Sequence, residues 1–187
     1  MAVKRVCKYG EDILRKKLPP CVYGEIKKDL PSILRDMWDT CEAVRGQGLA
    51  ANQIGLPLRL AVIAVPAPDK KSAVKLVIIN PEIVESGGRM MEEEGCLSLP
   101  GLFARVPRSE AVRVRALNEK GAEVEIAARG LAAKALQHEI DHLDGKLFID
   151  RLSGIAKIKA KSEIKSRRAK WEQTDEAAGK FYRPDDE

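Results

Sequence analysis

Long apolar runs are missing from this 187-residue sequence. No stretch reaches 18 apolar residues, so no segment reads as a membrane-spanning helix. The start, MAVKRVCKYGEDILRKK, lacks the apolar centre of a secretory signal. Glu11 and Asp12 come early and serine is absent, which does not suit a transit peptide. The expected compartment is therefore the cytoplasm. Cysteine is scarce: Cys7, Cys21, Cys41 and Cys96 show no framework spacing, which predicts free thiols rather than disulfides. Cys7, Cys21 and Cys41 read as small buried apolar side chains. Histidine is scarcer still. The chain has 2, His138 and His142, and both lie in one stretch, QHEIDHLDG at 137–145.

What is present is an ordinary globular composition, 44% apolar and 33% charged, over a length that suits one domain with its own core. The net charge of +5 is local. Residues 157–170 carry seven Lys/Arg against Glu163 alone, and residues 172–187 carry six Asp/Glu against Lys180 and Arg183. The expected organisation is one domain over 1–170, ending in a basic helix at about 154–171, with 172–187 as a flexible acidic tail.

Residues 29–46 carry apolar side chains at 30, 33, 34, 37, 38, 41 and 44, a helical stripe with Pro31 in its first turn and Gly46 suited to stopping it. LRLAVIAV (58–65) and VKLVIIN (74–80) read as buried strands bounded by Pro66 and Pro81. AVRVRAL (111–117) and AEVEIA (122–127) alternate apolar and charged residues around the turn NEKG, a hairpin with one wet face. From Gly130, LAAKALQHEIDHL predicts a helix that Gly145 can end. The chain then leaves through DGKLFI, which reads as a strand. The predicted class is α+β, with antiparallel sheets packed around the helix that carries the two histidines, plus a C-terminal helix.

Residues four apart share a helix face, so His138 and His142 can bind one ion together. Glu139 follows the first histidine, where its carboxylate can reach a water on the metal. This is the logic of H-E-x-x-H. The competing reading is a helix with two ordinary histidines and a surface glutamate. Two residues can complete a metal site. Glu163 lies 21 residues after His142, but it is crowded by lysines on a solvent-facing helix. Cys96, in EEEGCLSLPG (92–101), offers a thiolate that suits zinc or ferrous iron, with a buried thiol as the alternative reading.

Three stretches taken together resemble the signature motifs of peptide deformylases, in order and at similar spacing: GQGLAANQ (46–53), EGCLS (94–98) and QHEIDH (137–142). The resemblance covers roughly residues 3–170. It implies Cys96, His138 and His142 as ligands of one divalent metal, ferrous iron first, with zinc, nickel or cobalt as substitutes. It implies Glu139 as general acid/base. The Gln53 amide and the Leu97 backbone N–H become donors to the formyl oxygen, a role worth about 2.7–4 kcal/mol per donor in comparable sites. The reaction implied is attack of metal-bound hydroxide on the formyl carbon of an N-formylmethionyl nascent chain, which releases formate. Gly48 would offer its carbonyl to the substrate backbone. Gln47 stands where the family motif has an apolar residue, which makes that wall more polar. Leu131 and Ala135 share the face of His138 and could line a methionine pocket. Phe103 falls in a variable stretch and bears on substrate preference. Glu94 and Arg108 are expected to pair behind the site, and Asp141 to orient a ligand histidine. The basic helix resembles the part of bacterial deformylases that docks on the ribosome, and Lys/Arg clusters attract RNA phosphate. No membrane or DNA partner is expected.

Overall fold

The computed structural model describes residues 3–66 and 73–176. In chain order these form α1 (Tyr23–Ile26), α2 (Leu30–Ala43), β1 (Gly48–Ala50), β2 (Leu60–Pro66), β3 (Ala73–Gly87), β4 (Met90–Cys96), β5 (Leu99–Arg108), β6 (Ala111–Leu117), β7 (Glu123–Arg129), α3 (Gly130–Leu143) and α4 (Gly154–Glu176). Strands β1-β2-β3-β6-β7 make one sheet, and β4 and β5 make a separate ribbon. Every pairing is antiparallel. The architecture is α+β, as the sequence predicted.

The sheet shows why β2 is apolar throughout while β6 alternates. Ala61, Ile63 and Val65 of β2 join Ala133, Leu136, Ile140 and Leu143 of α3 in one core. Leu60 and Val62, pointing the other way, join Leu30, Met37 and Cys41 of α2 in another. A strand buried on both faces has no room for polar residues, and each fully buried aliphatic side chain contributes roughly 1.5–3 kcal/mol. In β6, Val112, Val114 and Ala116 pack toward α3, while Arg113 and Arg115 are exposed. A third core fixes the ribbon to the C-terminal part of the chain. Leu99, Leu102 and Val106 meet Phe148, Leu152, Ala160, Ile164 and Trp171 there, and Trp171 Nε1 donates to the Pro100 carbonyl at 3.1 Å.

Several boundaries differ from expectation, each for a local reason. The helix predicted over 29–46 ends at Ala43, because Arg45 takes the left-handed conformation (φ 53) and Gly46 N–H closes back on the Cys41 carbonyl at 2.8 Å. Pro81 does not end its strand. β3 runs through it by a bulge between Ile79 and Glu82, where a residue without an N–H is tolerated. Asn80 sits there at φ 53, its amide bonded both ways to the Cys21 backbone at 2.7 and 2.8 Å. Cys21 is half-buried rather than buried, and its sulfur accepts the Arg59 N–H at 3.1 Å. The segment after the histidine helix is no strand. Gly145 turns the chain at φ 71 and Phe148–Arg151 form a 3-10 turn. The last helix continues to Glu176, into the stretch read as a flexible tail, and residues 177–187 of that stretch lie outside the described residues.

Candidate metal centre and active site

β7 runs straight into α3, with Gly130 at φ 57 making the corner and its N–H bonded to the Glu110 carbonyl at 2.8 Å. This places α3 between the sheet and the ribbon, so its second half is buried even where it is polar. Gln137, Glu139, Asp141 and His142 are all buried. The ribbon brings Cys96 to the same place. Cys96, His138 and His142 offer one sulfur and two nitrogens, all within 4.8 Å of one another. Cys96 Sγ lies 3.2 Å from His142 Nε2. Donors around one tetrahedral ion at usual bond lengths stand roughly 3.5 Å apart. The cluster thus fits a metal in donor chemistry and in scale.

Glu94 sets the orientation of the first histidine. Its Oε2 lies 2.9 Å from His138 Nδ1, which leaves Nε2 for an ion. Glu94 is itself held by a bidentate bond from Arg108 at 2.7 and 2.9 Å. Arg108 Nη1 donates to Asp141 Oδ2 at 2.5 Å, and Asp141 also takes two bonds from Arg151. The expected Glu94–Arg108 pair is present. The histidine-orienting part expected of Asp141 is not, since Asp141 faces the two arginines and Glu94 holds His138. Spacing on the strand held a signal for this. Glu94 and Cys96 are two residues apart, which puts alternate side chains on one face.

Electrostatics follow from burial and these partners. Burial raises the Cys96 thiol, but the adjacent His142 and His138 outweigh it and hold the thiol well below its ordinary range. A thiolate is the form that binds a metal. Burial opposes charge on His138 too, yet its bonds to Cys96 and Glu94 raise it well above the ordinary value. Glu94 is drawn down to about 2. Burial pushes it up, but the Arg108 and His138 bonds prevail. Glu139 is raised, chiefly by burial, with the two histidines opposing.

A cavity of about 390 Å³ opens onto the cluster. Cys96, His138 and Glu139 line it with Gln47, Gly48, Gln53, Leu97, Ala135 and Phe103. Leu131 does not line it. That residue lies at the exposed start of α3, about two turns from His138. Glu163 is also elsewhere, on the surface of α4 beside Arg167 at 3.9 Å. The Gln53 amide has a fixed sense: Oε1 accepts the Ala50 N–H at 2.9 Å, so Nε2 faces Ser98 Oγ at 3.2 Å and Cys96 Sγ at 3.7 Å. Gly48 has to be bare. A Cβ there would stand 2.4 Å from Glu139 Oε1. Glu139 Oε2 is buried with no hydrogen-bond partner among the described residues. Sequence reasoning missed Ser98 and Lys8, whose Nζ reaches the Leu97 carbonyl at 3.3 Å. Ser98 lies within the EGCLS stretch, two residues after Cys96, whereas nothing in the sequence around Lys8 marks it.

Two imidazoles and a thiolate around one point, beside a buried carboxylate with an oxygen to spare, define a metal-dependent hydrolase. The comparisons with known proteins narrow this class. The polypeptide deformylase family profile matches residues 3–158. The peptide deformylase of Elusimicrobium minutum is 51% identical over 175 residues, covering 91% of this chain and 99% of its own. The crystal structure of a Legionella pneumophila peptide deformylase superposes with TM-score 0.80 at 40% identity, covering 91% and 98%. A class I type b peptide deformylase from Acinetobacter baumannii, solved with Met-Ala-Ser bound, gives 0.74 at 36%, covering 81% and 99%. The chain belongs to the polypeptide deformylase family, hydrolases that remove the formyl group from the N-terminal formylmethionine of new polypeptides.

Proposed function

We propose that Cys96, His138 and His142 hold the one divalent metal, that Glu139 moves the protons, and that Gln53 Nε2 and Leu97 N–H receive the formyl oxygen. The metal, when bound, supplies Lewis acidity that makes water acidic near neutral pH. Glu139 Oε2 takes a proton from the attacking water and later delivers it to the departing amine nitrogen. Glu139 suits this exchange because burial raises its pKa toward the working range. Gln53 and Leu97 oppose the negative charge that grows on the formyl oxygen. Gly48 offers its carbonyl to the substrate amide as an added strand would, beside Gln47, and Ala135 lines the methionine pocket. Ferrous iron is the metal proposed, on the family resemblance; zinc, nickel and cobalt accept the same donors, and affinity order alone does not choose among them.

The observation that carries this reading is the buried Glu139 Oε2, without a hydrogen-bond partner among the described residues, in a cavity that Glu139 shares with Cys96 and Gln53. A formate-release assay on formyl-Met-Ala-Ser, with metal analysis of anaerobically purified protein, tests it. One metal per chain and stoichiometric formate are expected. Fully loaded protein that releases no formate would overturn the reading.

The catalytic unit proposed is residues 1–170 as a single domain. Among the described residues no helix is long and apolar enough to cross a membrane. The cytoplasm, where nascent chains emerge, is the proposed compartment. On α4, Lys157, Lys159, Lys161 and Lys165 are exposed. This basic helix is proposed to meet ribosomal RNA, and co-sedimentation with ribosomes should weaken steeply with added salt.

A further inference from the structure

Phe103 is a large aromatic side chain left 55% exposed on the wall of the catalytic cavity. In the ribbon it stands directly across from Gly95, the residue before Cys96. A Cβ at Gly95 would lie 2.5 Å from Phe103 Cε1 and 2.8 Å from Cδ1. The ring therefore packs onto the bare α carbon of β4, and only glycine at 95 permits it. Its backbone lies in the paired β4–β5 ribbon rather than in a loop. Leu97 lines the same cavity. An exposed aromatic face beside a cavity is a ready surface for another apolar group.

We propose that Phe103 is a specificity-determining residue, and that its open face selects formyl peptides with an aromatic side chain at one of the two positions after methionine. This rests on the cavity being the formyl-methionine site. A peptide that pairs with the Gly48 carbonyl runs extended, so the side chains after methionine emerge at the mouth rather than in the interior. Aromatic groups gain more there than aliphatic ones of equal size, because offset or edge-to-face ring packing adds to area burial. The ring, fixed in advance by Gly95, loses little freedom on binding.

Steady-state formate release from formyl-Met-Ala-Ser, formyl-Met-Phe-Ser and formyl-Met-Ala-Phe tests this on the metal-loaded chain. One aromatic peptide should exceed the alanine peptide in kcat/KM by about five- to tenfold, mostly through KM. Phe103→Ser should remove that excess, so that the three peptides are turned over with similar kcat/KM, while metal content and circular dichroism report an intact fold. Phe103→Leu should fall between. Equal kcat/KM for the three peptides, or a preference that survives Phe103→Ser, would overturn the proposal. No formate from any peptide would instead sink the functional reading beneath it, and this inference with it.

Discussion

Two largely buried polar clusters, the first closed by the exposed Arg151, are joined in this chain and are built on opposite plans. In the first, Glu94, Arg108, Asp141 and Arg151 interlock, with Arg108 bonded on both sides and Arg151 anchored to Asp141. In the second, Cys96, His138, His142 and Glu139 face a cavity, and His142 Nδ1 and Glu139 Oε2 find no hydrogen-bond partner among the described residues. Buried polar groups are normally paired, since leaving one unpaired costs about 1–3 kcal/mol. The first cluster is thus a brace, and the second keeps capacity for a ligand and a reacting proton. Glu94 joins them. It belongs to the brace by its charge and to the site by its bond to His138.

Substitutions can separate the two roles. The largest effect is expected from Glu139→Ala, which should lower kcat by about 10²–10⁴-fold with metal content and melting temperature kept. Loss of metal in that variant would mean that Glu139 is a ligand instead. Glu94→Ala should break the brace and cost about 3–5 kcal/mol of stability in denaturant titration, because it uncovers buried Arg108. It should also weaken metal affinity about 10–100-fold by freeing His138. Wild-type affinity in a folded Glu94→Ala protein would remove the link between the clusters. Gln53→Ala should lower kcat about 10²–10³-fold and cost about 1–3 kcal/mol of stability, because the buried Ala50 N–H loses its acceptor. A change confined to KM would move Gln53 out of the transition state.

Acid should act on the brace. Glu94 falls from an ordinary 4.5 to about 2 in the folded chain. A depressed carboxylate contributes stability that is full above the unfolded value and lost as pH falls through the folded one. Circular dichroism should therefore show stability declining between about pH 4.5 and 2, with a shallower slope in Glu94→Gln. An unchanged slope would assign acid sensitivity to other groups. The smallest effect is expected on the exposed face of α4. Ile155 and Ile158 on α4 are 73% and 69% exposed. Either one changed to Ser should shift stability by no more than about 0.5 kcal/mol in thermal melts.

Much of this was legible in the sequence, for identifiable reasons. The two-sided burial of β2 shows as an unbroken apolar run, and the half-wet β6–β7 hairpin shows as alternation. The spacing of His138 and His142 fixes a shared helix face. What the sequence left open depends on contacts distant along the chain. Arg45 ends α2 by a left-handed turn that no residue preference announces. Pro81 survives inside β3 because a bulge and the Asn80–Cys21 bonds accommodate it. Asp141, one residue before His142 in sequence, points instead to Arg108 and Arg151, and Glu94 reaches His138 across 44 residues. Leu131 shares the helix face of His138 but is 38% exposed and is not among the residues lining the cavity.

The choice of third metal donor is the most exposed point. Metal content per chain, measured on anaerobically purified Cys96→Ala and Glu163→Ala, tests it most directly. Cys96→Ala should lose its metal and its formate release together, while Glu163→Ala keeps both. Metal retained in Cys96→Ala, or lost in Glu163→Ala, would contradict a thiolate site at the ribbon.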